Sequence, residues 1–414
     1  IGEDFADYGL ENIILSDDTI SSTNLIRRKW LNNDFGGATY SLNHKMGNID
    51  LILGGASNRY SGQHYGNVIW AEYSSNAEYN HQYYWNKAEK LDHNFYAKAN
   101  YAYSNSTNIY ADLQRRRIDY IFEGKDEDGN IAVQEVVLSF FNPKVGLFHE
   151  LNDNQSLYVS FAVANKEPNR KDFVESTPNS RPEHETLYDT EVGYKMSGGK
   201  LSLGINLYQM NYKNQLALTG AINDVGEYTR TNIDKSYRKG IEIEGTYKLT
   251  NKLSWAGNMT LSENKILNHT AYVDNWDTWG QEKINYKNTD LAFSPNIIWA
   301  SLFNYKVNDN TSVDFISKYV GEQFIDNSSS EDRMLDDYLA NNLRLSYEWD
   351  SKIFNTAKLT LQVNNLLNNE YVSNAWVYRF ISDDWDPRDS DHYVNKDSER
   401  GYNMAAYFPE ATRN

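Results

Sequence analysis

Ser156-Leu157-Tyr158-Val159-Ser160-Phe161-Ala162-Val163-Ala164 alternates apolar with small or polar residues along its length. A period of two places successive side chains on opposite faces of a β-strand. The alternation returns in Leu201, Leu203, Ile205 and Leu207, and in Ile241, Ile243, Tyr247 and Leu249 against Glu242, Glu244, Thr246 and Lys248. It returns again in Leu359, Leu361 and Val363 against Lys358, Thr360 and Gln362. Each segment has one apolar face and one wet face.

The chain of 414 residues is 40% hydrophobic and 14% aromatic, with a mean hydropathy of -0.72. No stretch approaches the roughly 18 uncharged apolar residues that a spanning helix needs. A β-barrel escapes that test, because its lipid-facing and lumen-facing residues alternate and average out. The net charge of -17 and a pI near 4.9 argue against nucleic acid, whose phosphates demand clustered Lys and Arg. Arg115, Arg116 and Arg117 form the longest basic run and are expected on a solvated or lumen-facing strand. With no cysteine, a disulfide framework and a zinc-thiolate site are excluded, which fits an oxidising envelope compartment. Ile1-Gly2-Glu3-Asp4 lacks an initiator Met and the features of a signal peptide, so a mature or cut fragment is expected.

About fifteen strand candidates of roughly 9 to 13 residues can be drawn, the length that crosses a bilayer when tilted. Short turns fall at Gly47-Asn48, Asn105-Ser106, Asp153-Asn154, Ser197-Gly198-Gly199, Thr250-Asn251 and Asn308-Asp309-Asn310, all residue types suited to tight hairpins. Between them come long polar loops: Ser61 to Glu78, Gly124 to Asn130, Asn165 to Glu183, Lys213 to Thr229, Lys265 to Leu291, Gly321 to Asp337 and Asn368 to Tyr407. Short connections on one side and long ones on the other are the layout of an outer-membrane barrel. A soluble sandwich or propeller would have shorter strands and no segregation of loops by length. Its aromatics would not gather at strand ends, as Tyr194, Tyr212, Tyr247, Trp255, Trp299, Tyr305, Tyr319, Tyr347 and Trp349 do here. The expected fold is all-β, a transmembrane antiparallel β-barrel, with Glu242, Glu244, Asp314, Lys318 and Arg344 facing its lumen. Gly240 is expected at a bulge or close backbone approach, and Asn364 and Asn365 as a stop to strand pairing.

Several strings carry a family resemblance. They are Asp7-Tyr8-Gly9-Leu10, Trp30-Leu31-Asn32-Asn33-Asp34-Phe35-Gly36-Gly37, Phe141-Asn142-Pro143-Lys144-Val145-Gly146-Leu147 and Lys166-Glu167-Pro168-Asn169-Arg170-Lys171-Asp172-Phe173. Further along come Arg181-Pro182-Glu183, Glu191-Val192-Gly193-Tyr194-Lys195, Arg238-Lys239-Gly240-Ile241-Glu242, Val363-Asn364-Asn365-Leu366-Leu367-Asn368-Asn369-Glu370-Tyr371 and Ala406-Tyr407-Phe408-Pro409-Glu410-Ala411. In that order, across nearly the whole chain, they resemble the barrel portion of TonB-dependent outer-membrane receptors of the kind found in Bacteroidetes. The resemblance implies a barrel of about 22 strands closed by an N-terminal plug. It therefore implies that residues 1–414 are a partial barrel with long extracellular loops, the plug and a final strand lying outside this chain.

By the same resemblance, the protein sits in the outer membrane of a Gram-negative bacterium, embedded in the lipid bilayer. It binds a scarce nutrient such as a ferric siderophore, haem or cobalamin, a small-molecule ligand expected to be a metal chelate. It imports that cargo with energy from the TonB-ExbB-ExbD complex, engaged through the absent N-terminal part, and makes or breaks no bond. The binding residues expected in the outer loops are Trp276, Trp279, Tyr286, Trp376, Tyr378, Arg379 and Trp385, aromatic anchors with one cation among them. The competing reading of the same rings is loop packing.

Asp126-Glu127-Asp128-Gly129-Asn130 and the run Asp383, Asp384, Asp386, Asp389 and Asp391 offer hard oxygens suited to a loop calcium. Neither has the bidentate glutamate of an EF-hand, and solvated loops are the favoured reading. No other cofactor is expected. A passive porin and a glycan-importing receptor with a surface lipoprotein lid are the alternatives within barrels. A barrel enzyme finds no support, since no GxSxG elbow and no HExxH spacing occur.

Overall fold

The computed structural model describes residues 2–410 and 412, apart from 17, 127, 128, 130–132, 175–180 and 223–227. Glu127, Asp128 and Asn130 of the first acidic run, and Ala411, Arg413 and Asn414, thus lie outside the described residues. The chain divides into two compact units, one of residues 1–100, 111–143 and 165–184, the other of residues 101–110, 144–164 and 185–414. Its longer strands are β1 (Leu25–Met46), β2 (Ile49–Ala71), β3 (His81–Ala102), β4 (Thr107–Lys125), β5 (Gln134–Asn152), β6 (Gln155–Lys166), β7 (Glu185–Gly198), β8 (Leu201–Ile222) and β9 (Tyr228–Lys248). They continue as β10 (Leu253–Asn275), β11 (Gly280–Asp290), β12 (Ile297–Lys306), β13 (Thr311–Val320), β14 (Tyr338–Ser351), β15 (Asn355–Val363), β16 (Val372–Ile381), β17 (Val394–Lys396) and β18 (Tyr402–Pro409). The short helix α1 spans Arg170–Val174.

Five of the six predicted short turns join strands shown to pair antiparallel, all but Asn105-Ser106. Gly47 and Asn48, for instance, close β1 onto β2 with Met46 opposite Ile49, and the pair stays in register up to Leu25 opposite Ala71, with one shift between Ile26 and Arg27. Strand lengths differ from expectation: β2 and β10 each run 23 residues and β8 runs 22. Much of what reads as loop is paired strand. Ser61 to Ala71, Lys213 to Ile222 and Lys265 to Asn275 extend their hairpins, and Asn368 to Tyr407 contains β16 and β17 and the start of β18. These extensions bury only scattered apolar residues, such as Val68, Ala217 and Ile266, so no regular period of two is visible there. Their backbone groups still pair, which is what stabilises them.

In the first unit, two apolar clusters sit away from the lower, turn-proximal ends of the strands. Phe5, Tyr8, Leu10 and Val68 form one, with the Tyr8 and Tyr83 rings 4.8 Å apart. Ala88, Ile118, Tyr120, Phe122, Phe140 and Phe173 form the other, which seats α1 through Phe173. Arg116 of the basic run is not free. Its guanidinium pairs with Asp92 at 2.6 Å and Glu167 at 3.3 Å, Lys90 joins Glu167, and Arg117 pairs with Asp119 at 2.7 Å.

In the second unit, β7 to β10 pair in sequence order. Register places Leu203, Ile205 and Leu207 of β8 opposite Gly245, Ile243 and Ile241 of β9, while Gly204 and Asn206 stand opposite Glu244 and Glu242. The apolar face is open: Leu207 is 50% and Leu361 64% exposed. Water would penalise such a face by about 25 cal/mol per Å², so it belongs against lipid. On the other face Arg344 pairs with Asp314 at 2.7 Å, as the lumen assignment requires. Tyr247 faces Trp255 across β9 and β10, and Tyr347 stacks on Trp349 at 5.3 Å, forming a belt beside the short turns. Trp299 and Tyr319 stack at 5.8 Å farther along, Trp299 four residues beyond the Phe303 that faces Trp255, or about 14 Å at ~3.4 Å per residue. Tyr212 does not join either belt, because its even position in β8 puts it on the inner face with Tyr208.

Gly240 makes no bulge. It keeps register between Tyr208 and Ser262 at the expected close backbone approach: an added Cβ would lie 2.5 Å from the Leu261 carbonyl oxygen and 2.7 Å from the Tyr208 hydroxyl. Asn365 does end β15. Its backbone N–H donates to the Asn342 side chain at 2.8 Å, and its own amide closes on Asn369 at 2.8 and 3.0 Å.

Candidate functional site

Strand β10 changes partner along its length, and this change builds the site. Leu253 to Leu261 pairs with β12, whereas Lys265 to Asn275 pairs with β11. The upper half therefore rises as a separate hairpin, about 4 residues beyond the apolar lower half and outside any membrane-spanning stretch. At its far end Asp274 and Asn275 pair in parallel with Phe380 and Ile381 of β16. That contact brings residues a hundred positions apart in sequence onto one wall.

A cavity of about 370 Å³ lies between these elements. The hairpin contributes His269 to Asp274, Gln281 and Tyr286; β16 contributes Val377, Tyr378 and Arg379. Asp326, Asn327 and Ser328 close another side, and Thr219, Thr229 and Thr231 of β8 and β9 complete it. The Asp326 segment is anchored by Asn327, whose amide donates to the Leu218 carbonyl at 2.7 Å while its carbonyl accepts from Ala292 N–H at 2.9 Å.

Polar bonds hold the lining. Tyr378 donates to Asp274 at 2.6 Å, and Gln281 donates to the other Asp274 oxygen at 2.9 Å. Arg379 donates to the Tyr286 hydroxyl at 2.5 Å and to Glu399 at 3.0 Å, with Asp397 3.3 Å from its Nε. His269 and Tyr286 are direct cross-strand partners and stack at 6.4 Å with planes 16° apart. Burial pushes the Tyr378 phenol up to about 12, with its bond to Asp274 acting the same way. Burial also raises Tyr286, against the pull of the Arg379 charge, and lowers His269, whose imidazole is thereby held neutral.

Of the seven residues singled out from sequence, Tyr286, Tyr378 and Arg379 line this cavity. Trp276 lies behind it, stacked on Phe380 at 3.9 Å and on Trp385 at 6.1 Å, its indole N–H donating to Tyr378 at 3.2 Å. Trp385 therefore packs a loop. Trp279 is 92% exposed at the hairpin tip, and Trp376 stands opposite Ala406 on β16; neither reaches the lining. His269, Thr231 and Asp274 escaped the sequence reading. Nothing in the sequence marks them, since their segments carry no regular apolar period.

Among the described residues no three His, Asp or Glu side chains converge as a metal site. In the acidic run, Asp383 pairs with Arg400 at 2.5 Å and Asp386 with Arg388 at 2.6 Å.

Comparison with curated proteins returned no match. Solved structures of similar fold include the ferric-catecholate import receptor Fiu from E. coli K12, 15% identical with a TM-score of 0.59 over 95% of this chain and 54% of that one. The copper transporter OprC is 14% identical with a TM-score of 0.67 over 94% and 56%. The ferric yersiniabactin uptake receptor FyuA from Yersinia pestis is 12% identical with a TM-score of 0.60 over 94% and 53%. The chain thus spans about half the length of these structures. The family described as TonB dependent receptor-like, beta-barrel, matches residues 3–366. With an antiparallel sheet whose apolar face is bare and whose far ends carry a walled cavity, this chain belongs to the TonB-dependent receptor β-barrel family of the Gram-negative outer membrane.

Proposed function

We propose that the protein imports a scarce nutrient too large for passive diffusion, captured in the loop layer and moved with energy drawn from TonB-ExbB-ExbD. The observation that carries this reading is the cavity lined by Tyr286, Tyr378 and Arg379, standing beyond the apolar stretch of β10. Ion pairs and stacked rings wall that cavity, as a specific binding pocket requires. The cargo class expected from sequence is a metal chelate such as a ferric siderophore, haem or cobalamin, and the import of ferric chelates by Fiu and FyuA leans the same way. The test is uptake of labelled cargo by cells carrying the full-length receptor. Accumulation that disappears without TonB or after collapse of the proton gradient supports the reading. Steady ohmic conductance of the purified protein in planar bilayers, with uptake indifferent to TonB, overturns it in favour of a passive pore.

A further inference from the structure

Successive side chains of a strand alternate between its faces, so the three arginines of β4 divide. Arg116 turns to the lumen, where it meets Asp92 and Glu167, and Ile118 and Tyr120 follow it into the buried cluster on that side. Arg115 and Arg117 therefore stand on the outer face of β4, beside the exposed Leu113. Because Arg116 reaches Asp92 of β3 at 2.6 Å, they stand level with Leu91 and His93, the outward neighbours of Asp92. His93 shares a hydrogen bond of 2.8 Å with Ser57 of β2, and Arg59, two positions on, pairs with Glu89 of β3 at 3.0 Å. Lys87 pairs with the same carboxylate.

The outer face of residues 57–59, 87–95 and 113–119 thus carries Arg59, Lys87, Arg115 and Arg117 against Glu89 and Asp119. Glu89 serves two cations and Asp119 serves Arg117. Arg115 is exposed and makes no hydrogen bond or ion pair among the described residues. In a chain of net charge -17 this local positive surplus runs against the whole.

A charged patch on a strand is ordinarily just solvated; its surroundings and its height set this one apart. Leu91, Phe95 and Leu113 lie exposed among the cations. Arg59 stands ten residues along β2 from Ile49, which follows the tight turn. That is about 34 Å at ~3.4 Å per residue, and a strand tilted by about 40–45° climbs about 25 Å over it, the height of a barrel's apolar band. The cations thus sit where the apolar band gives way to headgroups, facing sideways into the membrane. A partner for them needs anionic oxygens at its head and apolar chains below. A guanidinium matches a phosphate with two parallel hydrogen bonds, and basic clusters at a membrane boundary hold anionic headgroups.

We propose that Arg115, Arg117, Arg59 and Lys87 form a binding site for a phosphorylated glycolipid of the outer leaflet, whose phosphates meet the cations while its acyl chains run down over Leu113 and Phe95. Arg115, left without a carboxylate, takes one phosphate directly.

The test is native mass spectrometry of the full-length receptor in detergent. It is titrated with lipid A carrying two phosphates, with the same lipid stripped of both, and with inorganic phosphate. The phosphorylated lipid should be held about tenfold more tightly than the stripped one, and less tightly as salt rises. The double variant Arg115→Gln, Arg117→Gln should close most of that gap. Lys318→Gln, which removes the same charge from the lumen face, should leave it unchanged. Heat-dependent gel migration checks that each variant is folded. Equal retention of the two lipids overturns the proposal, as does a double variant that binds like the unaltered receptor or like Lys318→Gln. Inorganic phosphate held as tightly as the phosphorylated lipid would mark a free-anion site and overturn it too. None of these outcomes bears on cargo import, which is read from uptake.

Discussion

At the scale of single residues, the inner face is organised by tyrosines laid over glycines on the next strand. A Cβ built on Gly193 would come within 2.0 Å of the Tyr158 ring, and one on Gly240 within 2.7 Å of the Tyr208 hydroxyl. Tyr158 then reaches past its glycine to donate to Asn206 at 2.9 Å. Gly193→Ala should drive that ring off its seat and destabilise the folded protein by about 1–3 kcal/mol, the usual toll of overpacking. Chemical unfolding in detergent measures it, and the double variant with Tyr158→Ala should recover part of the loss; equal losses in single and double variants would refute the pairing. Tyr378 carries a second prediction. Its phenol stands at about 12 in the folded protein against about 10 when unfolded, so the folded state holds the proton more tightly. The resulting stability is fully present below about pH 10 and is lost as pH rises through about 12. Hydrogen exchange in β16 should accelerate across that window, and Tyr378→Phe should flatten the dependence.

Among elements, the cavity depends on a latch that no strand supplies. Arg333 is fully buried in the segment between β13 and β14, where it binds Asp326 at 2.8 Å and also Asp397, itself buried between β17 and β18. Asp332 accepts the Ser398 N–H at 2.7 Å alongside. Removing one partner of a buried ion pair leaves the other charge stranded, at a cost of about 3–5 kcal/mol. Arg333→Ala should therefore loosen residues 382–401 and open Arg379, raising their hydrogen exchange while protection of β8 and β9 stays unchanged. Uniform loss of protection, or none, would contradict a local latch. The sequence showed little of this. Turn chemistry marked the hairpins because Gly, Asn and Asp act within a few residues, and Trp276, Tyr378 and Trp385 stood out as loop rings with no sign that they meet. The rest depends on pairings across a hundred positions: Asp274 with Phe380, or Arg333 with Asp397. The upper arms of β8 and β10 carry apolar residues such as Ala217 and Ile266 too sparsely to show a period of two, so His269 reads as loop, and Thr231, just past the loop Lys213 to Thr229, is not singled out.

For the molecule as a whole, the deciding fact is that its most regular apolar surface is not inside. Buried clusters such as Ala217, Ile233, Ile266 and Leu291 lie in the polar extensions, while Leu207, Leu261, Phe303 and Leu361 at strand level remain exposed. A water-soluble β-protein would invert this arrangement, and the alternation in β8 and β9 was legible because lipid imposes a strict period of two. The two faces should therefore respond oppositely to one added charge. Leu207→Arg places a guanidinium on the apolar face opposite Ile241, and Asn206→Arg places the same group on the polar face opposite Glu242. On the lipid face the change should cost about 2–4 kcal/mol near the bilayer midplane; on the inner face, with a carboxylate to meet it, the effect should stay within ~1 kcal/mol. Folding of both variants into lipid vesicles, followed by heat-dependent gel migration and urea titration, measures the difference. Should Leu207→Arg fold as readily as Asn206→Arg, the apolar face would not be in contact with lipid, and the membrane placement of the whole sheet would fall.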